Sequence, residues 1–252
     1  MNLDKKPVVA NVNTIETFGA FDGPGVRYVL FLQGCPFQCQ FCHNRDTWST
    51  KTNKTMTVEE VLADYKKYEK FYKNGGITVS GGEPLLQMRF LTELFKEAKK
   101  LGIHTCIDTS AACYNVRQNI FFRELMEYTD LVLLDIKQIN DEKHKILVGD
   151  SNKKVLDFAR FLDELKVPVN TRHVLIPGVN NDTEDLMELR KFLDSLSNIV
   201  DIDVLPYHTA GELKWEAMGL EYPLAGVRIP TDEEITLAEK ILKEDYKYYK
   251  ID

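Results

Sequence analysis

The sequence predicts an α/β fold, a partial (β/α)6 TIM-type barrel that stays open on one side. Three observations predict it. Short β-branched apolar runs alternate with longer segments of helical periodicity, the pattern of repeated β-α units around a parallel sheet. Polar and glycine-rich clusters follow the apolar runs rather than precede them, as on the C-terminal face of a β/α barrel, where loops build sites. Six units fall short of the eight that close such a barrel.

Strands are expected at residues 27–32, 77–80, 104–108, 131–136, 169–175 and 202–205, each a run of β-branched and apolar residues. Helices are expected at 58–73, 90–100, 120–128, 155–165, 183–196 and 232–246, where apolar residues recur at helical spacing. Thr57 and Glu60 have capping-box spacing at the first helix, and Gly102 stands where the second should stop. With no Gly-, Ser- or Pro-rich linker and no internal repeat, residues 1–252 read as one domain with a core at about 27–210.

The chain has 252 residues, 44% hydrophobic content and a formal net charge of −7, and its pI is about 5.4. That balance argues against a phosphate-backbone partner such as nucleic acid, which calls for a concentrated basic face. No apolar h-region follows the start, and no stretch approaches a membrane span, so a soluble cytoplasmic protein is expected.

The densest chemistry lies after the first expected strand, where Cys35, Cys39 and Cys42 form C-x3-C-x2-C. Structural zinc takes four ligands, and the local fourth candidate, His43, is adjacent to Cys42 and would have to fold back onto the same ion. Five cysteines, three of them crowded into one loop, do not suit a disulfide framework. Thiolates suit iron–sulfur clusters; four would saturate a four-iron cube, whereas three leave one iron open. The later clusters are Gly81-Gly82-Glu83, Asp108-Thr109, Asp135-Ile136-Lys137, Pro177-Gly178 and Pro206-Tyr207-His208. Gly81-Gly82 lets the chain pass close to a ligand, and it lacks the dinucleotide-binding G-x-G-x-x-G spacing.

The cysteine spacing, with Phe41 before the last cysteine, resembles the radical S-adenosylmethionine (SAM) superfamily. The run from Phe18 through Gly23-Pro24-Gly25 to Arg27, and the one from Cys42-His43-Asn44-Arg45 to Trp48, are similar to a narrower group. This is the glycyl-radical-enzyme activating family, and within it the branch acting on pyruvate formate-lyase. Matches continue through residues 80–83, 102–109, 129–138, 205–208 and 214–219. No inserted ferredoxin-like segment follows Trp48, which favours that branch and implies one [4Fe-4S] cluster.

The resemblance implies a radical SAM core in which Cys35, Cys39 and Cys42 hold the cluster. SAM chelates the open iron and is cleaved reductively to a 5′-deoxyadenosyl radical, which takes hydrogen from a backbone glycine of pyruvate formate-lyase. Phe41, Cys42, His43, Gly81, Gly82, Glu83, Asp135, Ile136, Lys137 and His208 would line the SAM pocket, with Glu83 accepting from the SAM amino group. Asp108, Thr109, Asp135 and the Leu133 carbonyl would hold a monovalent cation, Na+ or K+. Asp22, Arg172, His208 and Trp215 would meet the glycine-bearing loop. Reduced flavodoxin or ferredoxin would supply the electron to a monomeric enzyme. The other readings are activation of another glycyl-radical enzyme, radical SAM chemistry on a small molecule, and a non-enzymatic iron–sulfur protein. The chain departs from the family pattern at Ala111, where many relatives have glycine.

Overall fold

In the computed structural model of the protein, which describes residues 7–251, the chain enters through β1 (Val9–Gly19). This strand pairs antiparallel with β2 (Arg27–Leu32) on one side and β3 (Lys54–Thr57) on the other. From β2 the sheet continues in parallel through β4 (Gly76–Gly81), β5 (His104–Thr109), β6 (Leu131–Asp135), β7 (Val169–Leu175) and β8 (Ile199–Pro206). The order is β3-β1-β2-β4-β5-β6-β7-β8, so β3 and β8 are its two edges and the barrel does not close.

The connecting helices are α1 (Val58–Lys66), α2 (Met88–Lys100), α3 (Asn119–Met126), α4 (Asp141–Val148), α5 (Lys153–Leu165) and α6 (Thr183–Leu193). After β8 come the short α7 (Glu212–Ala217) and the terminal α8 (Asp232–Lys243). Each long helix turns an apolar stripe to the sheet; α2 buries Phe90, Leu91, Leu94, Phe95 and Ala98. Aromatic rings of Tyr114, Phe122, Phe158 and Phe161 fill the space between α3 and α5. The N-terminal end of the barrel is plugged by Arg27, fully buried, which donates to Thr78 Oγ1 (2.6 Å) and to the carbonyls of Pro24 (3.0 Å) and Ile77 (2.9 Å).

All six expected strands are present, and the capping box of Thr57 and Glu60 is formed. The expected first helix stops early, at Lys66, and a turn seats Tyr72 beneath β1, where its hydroxyl donates to the Thr17 carbonyl (2.8 Å). The terminal helix also stops short, at Lys243, because Asp245 adopts a left-handed φ of 57° and Tyr246 tucks back to the Leu193 carbonyl (2.7 Å). Ile136 lies just beyond β6 rather than in it. The antiparallel strands β1 and β3 and the helix α4 were not expected from the sequence. Among the described residues no helix is long and apolar enough to cross a membrane.

Candidate active site

The loop carrying the cysteines leaves β2 at Gly34, whose φ of 102° is open only to glycine at low cost. It closes on itself through Gly34 N to Thr47 O (2.7 Å) and Cys35 N to Trp48 O (3.4 Å). Its middle docks on the end of α4, with Gln38 N and Gln40 N donating to the carbonyls of Val148 and Leu147, both at 2.9 Å. Phe37 packs edge-on against His144 of the same helix. The unexpected α4 is therefore the seat of the cysteine loop.

Cys35, Cys39 and Cys42 line a cavity of about 580 Å³ at the C-terminal ends of the parallel strands. Burial pushes the Cys39 thiol up to about 12 and the Cys35 thiol higher, so a metal must displace their protons. Among the described residues no three Cys, His, Asp or Glu side chains converge closely enough to share a single ion. The three thiols nonetheless line one cavity, a donor set that suits a multi-iron cluster rather than a single ion.

Gly81 and Gly82 form the adjoining wall. A Cβ on Gly81 would stand 2.2 Å from Leu32 N, and one on Gly82 would stand 2.2 Å from Gly34 O. The glycines thus let the end of β4 run backbone to backbone with the cysteine loop, fixed by Gly82 N to Leu32 O (2.9 Å) and Glu83 N to Gly34 O (2.8 Å). Glu83, expected to reach SAM, is fully buried behind this wall and does not line the cavity. Its carboxylate accepts from Thr109 Oγ1 (2.6 Å), Ser110 Oγ (2.8 Å), Leu85 N (3.1 Å) and Ala112 N (3.1 Å). Burial raises its proton affinity, and those four donors oppose the rise.

The floor is ionic. Arg172 stands 3.4 Å from Asp108, which also accepts from Ser80 Oγ (2.7 Å), and Lys137 pairs with Asp135 at 2.8 Å. Burial lifts the Asp108 carboxyl to about 6 against the pull of Arg172. Burial works against the Lys137 charge, yet Asp135 and the nearby Cys39 raise its proton affinity overall. The Lys137 ammonium also lies 5.2 Å from the Phe41 ring centroid. His43 and His208 share the rim, their ring centroids 4.2 Å apart, with His43 Nε2 3.2 Å from the His208 carbonyl.

Asp108, Thr109, Asp135, Lys137, Arg172 and His208 thus join the cysteines around one cavity, as do Phe41, His43, Gly81 and Gly82. Thr109 reaches it with its hydroxyl already committed to Glu83 and to Ala111 N (2.8 Å). Leu133 is buried within the sheet opposite Asp108, and Ile136 is buried beside it, its carbonyl bonded to His173 Nδ1 (2.8 Å). Asp22 is half-buried outside the cavity; burial raises its carboxyl while Arg172 and Arg27 oppose. Trp215, expected at the substrate loop, is instead 6% exposed behind the cysteine loop and donates to the Cys42 carbonyl (3.0 Å). Phe21 and Trp48 line the cavity without having been singled out as site residues. Both lie in the quoted glycine- and cysteine-rich runs, which was the available signal.

Residues 29–190 match the family model of the Radical SAM superfamily. The chain is 48% identical over 241 residues to a pyruvate formate-lyase-activating enzyme of Listeria monocytogenes serovar 1/2a, covering 94% of this chain and 97% of that protein. The chain belongs to the pyruvate formate-lyase-activating enzyme family. A Streptococcus mutans serotype c member of the family is 45% identical over 254 residues, covering 98% and 97% of the two chains. The crystal structure of a domain of a Bacteroides vulgatus member has a TM-score of 0.55 at 29% identity, covering 67% of this chain and 93% of that one. Members of this radical SAM family use a [4Fe-4S] cluster and SAM, and the three-thiol cavity is the place in this chain that suits both.

Proposed function

We propose that this chain activates pyruvate formate-lyase by generating a glycyl radical on it, in the cytoplasm and with an external one-electron donor such as reduced flavodoxin or ferredoxin. The observation that carries the reading is the convergence of three thiols and the Gly81-Gly82 backbone on one cavity, in a chain of this family. When bound, the [4Fe-4S] cluster and SAM, given one electron, supply methionine and a 5′-deoxyadenosyl radical, which takes one hydrogen atom from a backbone glycine of the partner.

The chain's own residues do the placing. Cys35, Cys39 and Cys42 would hold the cluster. The backbone of Gly81 and Gly82 would approach the SAM amino group, since no Cβ intervenes. Lys137, held charged by Asp135, would attract the SAM carboxylate across the floor. Glu83 acts behind the wall by locking the loops after β4 and β5 together. His43 and His208 form the rim on which the nucleoside portion would rest. Arg172 and Asp108 would face the incoming glycine-bearing backbone, which enters by the open side of the sheet.

The test is anaerobic reconstitution with iron and sulfide, then reduction and addition of SAM and pyruvate formate-lyase, with 5′-deoxyadenosine and the glycyl-radical signal recorded together. Both should appear in proportion, and C35A, C39A or C42A should each abolish both. Deoxyadenosine without a radical on that partner would redirect the search to another substrate, and full activity in any cysteine variant would overturn the reading.

A further inference from the structure

The chain has two tryptophans, and both aim their indole N–H at one residue, Cys42. Trp215 Nε1 donates to the Cys42 carbonyl, whereas Trp48 Nε1 donates to the Cys42 sulfur itself at 3.3 Å. Of the three cysteine sulfurs, Cys42 is therefore the one with an indole donor. The two rings brace each other edge to face, with centroids 5.5 Å apart and planes at 88°. The Arg45 guanidinium lies over the Trp48 face at 4.0 Å and is 5.3 Å from the Trp215 ring. Lys214 ties the helix bearing Trp215 back to the loop, at 3.1 Å from Asp46 and 3.2 Å from Asn44. The arrangement holds one N–H on one sulfur with little freedom to turn away.

Resting on the cluster reading above, we propose that Trp48 tunes the reduction potential of the cluster through its hydrogen bond to the Cys42 sulfur, with Arg45 strengthening the donor. A hydrogen bond to a ligating thiolate withdraws negative charge from it, and the reduced cluster carries one more negative charge than the oxidised one, so the bond favours reduction. A guanidinium over the indole face draws on its π density and makes the N–H a better donor. One electron enters from a low-potential carrier and no bond is made or broken; Trp48 changes only how easily that electron is accepted. Trp48 is in this sense a positioning residue, acting through Cys42.

The measurement is the midpoint potential of the reconstituted cluster in wild type, W48F and W215F, each followed by the reduced-cluster resonance. W48F keeps an aromatic face for Arg45 and removes the N–H. Its midpoint should move to more negative potential, with about a tenfold lower reduced-to-oxidised ratio at a fixed potential, ~59 mV for one electron. In W215F, which loses a bond to a carbonyl, the ratio should change less than in W48F. An unchanged W48F midpoint overturns the proposal. Should W48F fail to load a cluster, wild type labelled with 15N at the indoles decides by pulsed resonance: a nitrogen coupling to the reduced cluster that persists in W215F supports it, and no coupling overturns it. A wild type that forms no reduced cluster at all would overturn the cofactor reading first.

Discussion

Glu83 illustrates how a residue can be found by motif and still have its orientation decided by distant chain. Two of its four donors are rigid backbone N–H groups, which cannot reverse to serve an amide. E83Q therefore sets an NH2 against a donor and leaves buried groups unpaired, at about 2–3 kcal/mol. The unliganded variant should melt roughly 4–12 °C below wild type, and an unchanged melting temperature would show that the network is not under load. The Gly-Gly-Glu triplet was legible in the sequence. That the carboxylate turns away from the cavity was not, because Thr109 ends another strand, β5, and Ser110 and Ala112 lie in the loop after it. Ala111 was legible as an anomaly: it is buried at φ 54°, in the left-handed region that glycine favours. A111G would relieve about 1–2 kcal/mol of that strain and give up about 0.8 kcal/mol of buried methyl. It would also add about 0.5–1 kcal/mol of unfolded-state freedom. These oppose each other, so thermal melting should place A111G within roughly 3 °C of wild type.

At the scale of elements, the parallel strands announce themselves because they are buried on both faces and read as apolar runs, as in the Gly76–Gly81 strand. The added antiparallel strand β1 does not. Val9–Gly19 fully buries only Ala10, Val12 and Gly19, and Asn11, Asn13, Thr14, Glu16 and Thr17 interrupt it, so its sequence looks half polar. Helix α4 is one of the shortest, and Asn140 caps it by accepting from Glu142 N and Lys143 N, a signal as faint in sequence as any polar turn. Caps that are formed carry predictions. Thr57 accepts from Glu60 N while Glu60 accepts from Thr57 N, so T57A should cost about 1 kcal/mol and roughly 2–4 °C in melting temperature. In the box that starts α8, bonds from Arg228 and from Thr231 N hold the Glu234 carboxyl down at about 2, below its ordinary 4.5. Because the folded state binds that proton less readily than the unfolded one, the stabilisation is complete above pH 4.5 and is lost as pH falls towards about 2. The melting difference between wild type and E234Q should shrink over that window, and a constant difference would refute the assignment.

For the molecule as a whole, six units and an open side followed from counting strands, and the sheet with free edges at β3 and β8 has that form. Counting strands does not say what stands at the entrance. Phe21 is 87% exposed, yet it lines the cavity that holds the three thiols. It sits in a turn between Gly19 and Gly23, where Gly23 has φ 118°, so the glycines that allow the turn also push a large apolar ring into solvent. An exposed ring at a reaction cavity offers an apolar contact to a polypeptide substrate that reaches that cavity. Burying a phenylalanine fully is worth about 1.5–3 kcal/mol, which corresponds to roughly tenfold to a hundredfold in affinity. F21A should therefore raise the KM for the protein substrate by that factor. The kcat at saturation should stay unchanged, since the ring carries no titratable or ligating group. Partner-free cleavage of SAM to 5′-deoxyadenosine should be unchanged too, because the thiols and the ionic floor remain in place. A KM equal to that of wild type would remove Phe21 from the substrate's path, whereas a loss of partner-free cleavage would place the ring in the SAM pocket instead.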